Sequence, residues 1–310
     1  MTKIKKAIVT GGAGFIGSHI VDALIKRRIK VAVVDDLSTG QKKNLNPNAK
    51  FFQVSIASPQ FPQIIKKLKP DVIFHCAAQI NVRESVNDPL KDARQNILGT
   101  LALAQAAADA NVKKIIFSSS GGAMFSDAIK PPYSEKQEAQ PVSPYGIAKR
   151  AGEMYLDFFH QTHGLPYVAL RYANVYGPRQ NDKGEAGVIA IFAGRMLKGQ
   201  PVKINGTGRQ TRDFVYVDDV VKANMLAMRK NATGIFHVGT GRQTEIKTIF
   251  KKINALTGGL MPQRHNAAQP GEVMRSALDC RKAKQSLAWQ PSVKMDEGLK
   301  KTVEWFRKQK

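Results

Sequence analysis

The chain has 310 residues, enough to bury a large apolar core without disulfides or metal staples. Only Cys76 and Cys280 are present, far apart and in no metal-ligand spacing, which excludes a disulfide framework and a zinc site; no metal is expected. Lys and Arg total 48 against 24 Asp and Glu, a formal charge of +24. The lysines fall in scattered pairs without interleaved aromatics, so they read as a solvated basic surface that attracts anionic substrates, not as a nucleic-acid interface.

From the amino terminus the sequence passes from lysines straight into Ala7–Thr10, without a signal-peptide core, and nothing later approaches the ~20 apolar residues of a membrane span. A cytoplasmic protein with no membrane partner is expected. Ala7–Thr10 is the first of five Val- and Ile-rich runs, followed by Val31–Asp35, Phe51–Val54, Val72–His75 and Ile115–Ser118. Separated by helical or loop-like segments, they have the pattern of parallel strands joined by crossover helices, an α/β doubly wound sheet.

After the first strand come Gly11, Gly12, Gly14 and Gly17, with Phe15 and Ile16 opening a helix. Glycines at 11, 14 and 17 permit a tight turn, the backbone's approach to a pyrophosphate, and close helix–strand packing, while the helix start supplies amide donors. The second strand ends at Asp35, the separation expected of a carboxylate that binds adenosine ribose hydroxyls. Asp36 follows with no arginine beside it. A ribose 2′-phosphate would be repelled, which favours NAD over NADP.

Pro89–Ala110 and Pro144–His163 read as long helices, the second with Ser143 as N-cap and Pro144 at its first position. Tyr145 and Lys149 then lie one turn apart on one face. A neighbouring cation together with the positive nicotinamide can lower a phenol from ~10 toward neutral pH, so such a tyrosine can act as general base and then as general acid. Upstream, Phe117–Gly122 puts serine hydroxyls at the end of a predicted parallel strand, where open α/β sheets bind ligands. Beyond Asn174, short strands at Val202–Asn205, Phe214–Val217 and Ile235–Val238 and a helix at Ala186–Leu197 suggest a smaller lobe interleaved with the end of the first.

Together these pieces resemble the extended short-chain dehydrogenase/reductase family, in its NAD-dependent epimerase/dehydratase branch, over nearly the whole chain. The matching stretches are Thr10 to Gly17, Asp35 to Gly40, His75 to Gln79, Asn96, Ser118 to Ala123, Tyr145 to Lys149, Arg171 to Pro178, Arg212 to Asp219 and Pro270 to Glu272. The resemblance implies a Rossmann-like sheet with a smaller C-terminal substrate-binding lobe. Residues 1–176, rejoined by 213–240, would hold NAD, and 177–212 with 241–310 would hold the substrate.

The resemblance also implies roles for individual residues. Ser120, Tyr145 and Lys149 would be catalytic, with Ser119 as an alternative hydroxyl. NAD would contact Gly11, Gly14, Phe15, Ile16, Gly17, Asp35, Asp36, Ser38, Ser55, Ile56, Ala77, Ala78, Gln79, Asn96 and Tyr172, together with Tyr145 and Lys149. A UDP-sugar would meet Ser120, Asn174, Val188, Arg212, Arg275 and Ser276. The implied reaction is 4-epimerisation of a UDP-hexose through a transient 4-keto sugar, with the small Ser276 leaving room for an N-acetyl group at C2. The two long helices would form a homodimer interface.

Ser55 departs from an aspartate common near the adenine, Gln269 from an arginine common at the diphosphate, and Phe125-Ser126 from a Tyr-Gly pair. Gly121 and Gly122 stand where dehydratases and decarboxylating relatives carry extra acid/base carboxylates, which favours epimerisation over those reactions; a plain reductase stays open as an alternative and would consume NADH stoichiometrically. Retention of Ser120, Tyr145, Lys149 and Asn96 argues against a non-catalytic dinucleotide sensor or a nucleic-acid-associated protein.

Overall fold

A computed structural model describes residues 4–182, 187–228, 232–268 and 273–309. The chain opens with β1 (Lys6–Thr10), α1 (Phe15–Lys26), β2 (Lys30–Val34), β3 (Lys50–Phe52), α2 (Gln60–Leu68) and β4 (Val72–His75). There follow α3 (Val82–Asn87), α4 (Pro89–Ala93), α5 (Gly99–Asp109), β5 (Lys114–Ser120), α6 (Pro144–His163) and β6 (Tyr167–Tyr172). The five expected strands are present, with ends shifted by one or two residues.

The later part contains β7 (Asn174–Tyr176), α7 (Val188–Leu197), β8 (Lys203–Asn205), β9 (Thr211–Arg212), β10 (Phe214–Tyr216), α8 (Val217–Ala227) and β11 (Gly234–Val238). It closes with β12 (Thr244–Glu245), α9 (Ile246–Leu256), β13 (Arg264–Asn266), α10 (Arg281–Leu287) and α11 (Met295–Arg307). Ala186, the expected start of α7, lies outside the described residues.

Seven strands form one parallel sheet in the order β11-β6-β5-β4-β1-β2-β3. Alternation along the strands sends Val9, Val33, Phe74, Ile116 and Leu170 to one face, where α1, α8 and Trp289 cover them. Ile8, Val34, Ile73, Ile115, Phe117 and Ala169 go to the other, under α2, α5 and α6. Covered on both faces, the strands can be apolar throughout, which is why they were visible as continuous runs. A separate cluster around Phe192, Ile204, Phe250, Leu299 and Phe306 joins α7, α9 and α11. Among the described residues no helix is long and apolar enough to cross a membrane.

The long helix read over Pro89–Ala110 runs unbroken from Pro89 to Asp109, as α4, a wide π-type turn over Arg94–Leu98, and α5. Asn96 sits in that turn, and its amide is pinned to both backbone groups of Gln79, at 2.8 and 2.9 Å. Anchoring by a neighbouring loop coincides with the local widening, a feature that helical periodicity does not reveal.

Candidate active site

The C-terminal ends of β1, β2, β4 and β5 open onto a cleft lined by Gly11, Gly14, Phe15, Ile16, Gly17, Asp35, Asp36, Ser38, Ile56, Ala77 and Ala78. Gly11 has φ +68°, and a Cβ there would lie 2.7 Å from the Ala77 nitrogen. At Gly17 a Cβ would lie 2.1 Å from the Gly11 carbonyl oxygen, so only glycine permits α1 to start this close to β1. The N-cap of α1 is Gly14, with no side-chain cap, which leaves the first amides of the helix open to an anion.

Asp35 Oδ2 accepts from the Ala13 amide at 2.9 Å and Oδ1 from the Leu37 amide at 2.8 Å. Burial pushes its carboxyl upward, and these two bonds pull it back. Each oxygen keeps a further lone pair for a ribose hydroxyl. A glycine cradle without side-chain obstruction, an uncapped helix start and a carboxylate at the end of β2 fit a dinucleotide.

The proton-transfer candidates converge beside this cleft. Ser143 caps α6, its Oγ accepting from the Gly146 amide at 3.2 Å, and so fixes Tyr145 in the first turn. Tyr145 and Ser120 face each other across the gap between α6 and β5, near enough for the serine hydroxyl to favour the phenolate. The Lys149 Nζ donates to the Ser118 carbonyl at 2.8 Å and lies 5.8 Å from the centre of the Tyr145 ring.

Dehydration of the Tyr145 hydroxyl pushes it up to about 12, against the influence of the Ser120 hydroxyl and with help from the Asp92 charge. In the chain by itself the phenol stays high, because desolvating a phenolate costs more than the ammonium returns; the expected lowering calls for the nicotinamide charge as well. Lys149 is pushed down to about 8 by the same burial.

Strand alternation separates the serines. Ser118 lines the cleft, whereas Ser119 points to the opposite face and donates to Glu153 Oε1 at 2.7 Å. Glu153, on α6, also receives Arg171 Nε and Nη2 at 2.7 Å each. This buried three-way pairing ties α6 to β5 and β6 directly behind Ser120.

The remaining sites read from sequence are distributed around this centre. Ser55 and Gln79 flank the cleft without lining it: Ser55 Oγ approaches Gln95 at 3.4 Å, and Gln79 Nε2 donates to Asp92 at 2.9 Å. The Tyr172 hydroxyl lies beneath the cleft, receiving Asn224 Nδ2 at 2.9 Å and meeting Ser118 Oγ at 3.2 Å. Asn174 accompanies the centre, its side-chain oxygen 4.0 Å from where a Cβ on Gly122 would stand.

Val188 opens α7, and Arg275 pairs with Thr211 in an isolated bridge while its carbonyl accepts from Tyr133 at 2.9 Å. Ser276 is buried next to it. Arg212 Nη1 donates to the carbonyls of Thr211 and Val273, at 2.9 and 2.6 Å. The neighbouring Asp213 turns inward, accepting from Thr240 and Gly241. Gln269 and Pro270 to Glu272 lie outside the described residues.

A family model for the NAD dependent epimerase/dehydratase family matches residues 7–239. The chain belongs to this family. It is 44% identical over 301 residues to a putative UDP-glucose 4-epimerase of Methanocaldococcus jannaschii, covering 97% of this chain and 98% of that one. Its structure matches that of a UDP-glucose 4-epimerase with UDP-glucose from Thermotoga maritima, at a TM-score of 0.96 and 50% identity over 98% and 99% of the two chains. A UDP-N-acetylglucosamine 4-epimerase from Methanobrevibacter ruminantium, in complex with UDP-N-acetylmuramic acid, matches with a TM-score of 0.94 and 37% identity over 100% of both.

Within this family fold, the sequence reading missed several residues. Val54, Cys76, Ile80, Gln95 and Ser118 also line the cleft. Ser118 was accessible by counting two residues back from Ser120 along the strand. Gln95 carried no signal, since its approach to the cleft depends on the widened turn before α5.

Proposed function

We propose that the chain is an NAD-dependent 4-epimerase of UDP-hexoses that interconverts UDP-glucose and UDP-galactose and also accepts the 2-acetamido sugars. The observation that carries this reading is the gathering of Ser120, Tyr145 and Lys149 beside the glycine cradle, with Lys149 Nζ held by the Ser118 carbonyl and near the Tyr145 ring, followed by Gly121 and Gly122 where elimination would need another acid or base. Ser120 is suited to hydrogen-bond the sugar O4. Tyr145 is suited to take the proton from the 4-hydroxyl and later to return it to the 4-keto oxygen.

Bound in the cleft, NAD supplies the hydride acceptor and donor at C4 and brings positive charge to the site. A phenol held up to about 12 becomes a competent base only beside added positive charge, which Lys149 also contributes as an ammonium. Arg212 and Asn174 are assigned to the substrate diphosphate, for which a guanidinium offers paired donors. Residues 1–176 with 213–240 are assigned to the cofactor, and 177–212 with 241–310 to the nucleotide sugar.

We further propose a cytoplasmic homodimer. Leu90 and Leu98 on one helical run and Ile147, Met154 and Phe158 on α6 are more than half exposed, and α4 packs beside α6, so they form one apolar face. Two copies of that face would make a four-helix contact.

The test is to incubate the protein with UDP-glucose and with UDP-N-acetylglucosamine and follow products by NMR. The 4-epimers should form without net NADH. Tyr145→Phe should lower the rate by roughly 10²–10⁴-fold; a variant as fast as the parent overturns the assignment.

A further inference from the structure

The start of α6 hands one of its amides to a distant element. The first amides of a helix have no partner within its own turns and must find one elsewhere. Here Pro144 has none to offer, and the Gly146 amide goes to the Ser143 hydroxyl at 3.2 Å. From Ile147 onward the helix satisfies itself, beginning with the Ser143 carbonyl at 2.9 Å. The amide left over is that of Tyr145. It donates, at 3.2 Å, to the hydroxyl of Ser85, sixty positions earlier on α3.

Ser85 is arranged to accept. It is 0% exposed, and its hydroxyl proton is committed to the Val82 carbonyl at 2.6 Å, which leaves the oxygen's lone pairs for the amide. The helix that carries it is held by the loop of the cofactor cleft. Asn81 caps α3, its Oδ1 accepting from the Glu84 amide at 2.9 Å, and its own amide donates to Gln79 Oε1. Gln79 Nε2 donates to the Asn81 carbonyl at 2.9 Å, and the buried Asp92 accepts from both Gln79 and Asn96. Ala77 and Ala78, which line the cleft, immediately precede Gln79.

On its other side the same turn of α6 meets the loop after Ser120. A Cβ on Gly146 would lie 2.4 Å from the Ala123 carbonyl oxygen, and the Ala123 amide donates to Ser120 Oγ at 3.2 Å. Tyr145 is thus held between the serine loop and α3.

We infer that Ser85 is a positioning residue of the proton-transfer site: by accepting from the Tyr145 amide, it fixes the tyrosine's backbone relative to the loop that lines the cofactor cleft. Ser85→Ala strands a buried amide, which the turn can relieve only by shifting. A small shift of a general base is felt in turnover before it is felt in substrate binding.

The inference rests on the epimerase reading for its turnover assay only. In Ser85→Ala, kcat for UDP-glucose should fall roughly 10–100-fold with KM and bound NAD unchanged, and Ser85→Thr, which keeps the hydroxyl, should recover it to within about threefold. A purely structural role would lower Tm in Ser85→Ala and leave kcat at the parent's level; that result overturns the inference, as does a Ser85→Thr variant as slow as Ser85→Ala.

In protein carrying nitrogen-labelled tyrosine, NMR should show faster amide exchange at Tyr145 in Ser85→Ala and a return to the parent's rate in Ser85→Thr, without any turnover. Unchanged exchange in Ser85→Ala would overturn the inference. Should Ser85→Ala fail to fold, Ser85→Cys decides, since a thiol fills the same place but accepts weakly: a kcat lowered roughly 10-fold supports the inference, and a kcat at the parent's level overturns it. A parent protein without epimerase activity would sink the functional reading, while the Tyr145 exchange would still test the bond from Ser85.

Discussion

Glu153→Gln should destabilise the protein far more than an ordinary surface change, through the guanidinium it abandons. The Arg171 side chain is 3% exposed and that of Glu153 is 0% exposed, and two 2.7 Å bonds join them. Removing one partner of such a pair costs ~3–5 kcal/mol, because the remaining charge is left buried and uncompensated. Arg150, which meets the same carboxylate at 3.3 Å, has a side chain 35% exposed and can turn to water, so its share is small.

Against a total stability of ~5–15 kcal/mol this is a large fraction. With about 2 °C per kcal/mol for a chain of this size, Tm should fall by roughly 6–10 °C. The assay is denaturant and thermal unfolding of the parent, Glu153→Gln, Arg171→Met and the double variant. The double variant should be more stable than either single one, since no charge is then stranded. A loss below about 1 kcal/mol in Glu153→Gln, or a double variant no better than the singles, would refute the reasoning.

Gly17→Ala should abolish NAD retention while leaving the fold intact, because its Cβ would collide with the Gly11 carbonyl inside the cradle; cofactor content and far-UV circular dichroism distinguish the two effects. Ser276→Tyr should remove activity on the 2-acetamido substrate selectively, and equal loss on both sugars in the NMR assay would count against that assignment. Leu90→Glu combined with Phe158→Glu places charge on the proposed dimer face, and sedimentation should then report the mass of a single chain. A parent protein that already sediments as a monomer would remove the dimer proposal.

What was legible in the sequence is what local chemistry encodes. The strands show because burial on both faces forces unbroken apolar runs, and the cradle shows because close backbone approach tolerates no side chain at Gly11 and Gly17. Ser143 and Pro144 mark the start of α6 directly. Partnerships between elements are silent. Nothing near Glu153 announces Arg171, eighteen positions on and across a strand, and nothing near Asp92 announces its burial. The high phenol of Tyr145 in the chain by itself is silent for the same reason: spacing gives the proximity of Lys149 but not the loss of water, which dominates.

The sheet's last strand has a bearing on how the molecule comes into being. Because β11 pairs with β6 only after the chain has built β7 to β10, a nascent chain that has finished α6 and β6 still displays β6 as a bare edge of unpaired amides and carbonyls. Ser120, Tyr145 and Lys149 are already synthesised at that stage, but the sheet they rest on is open to pairing with another chain. Arrest or truncation before residue 234 should therefore yield aggregation, not a smaller working enzyme.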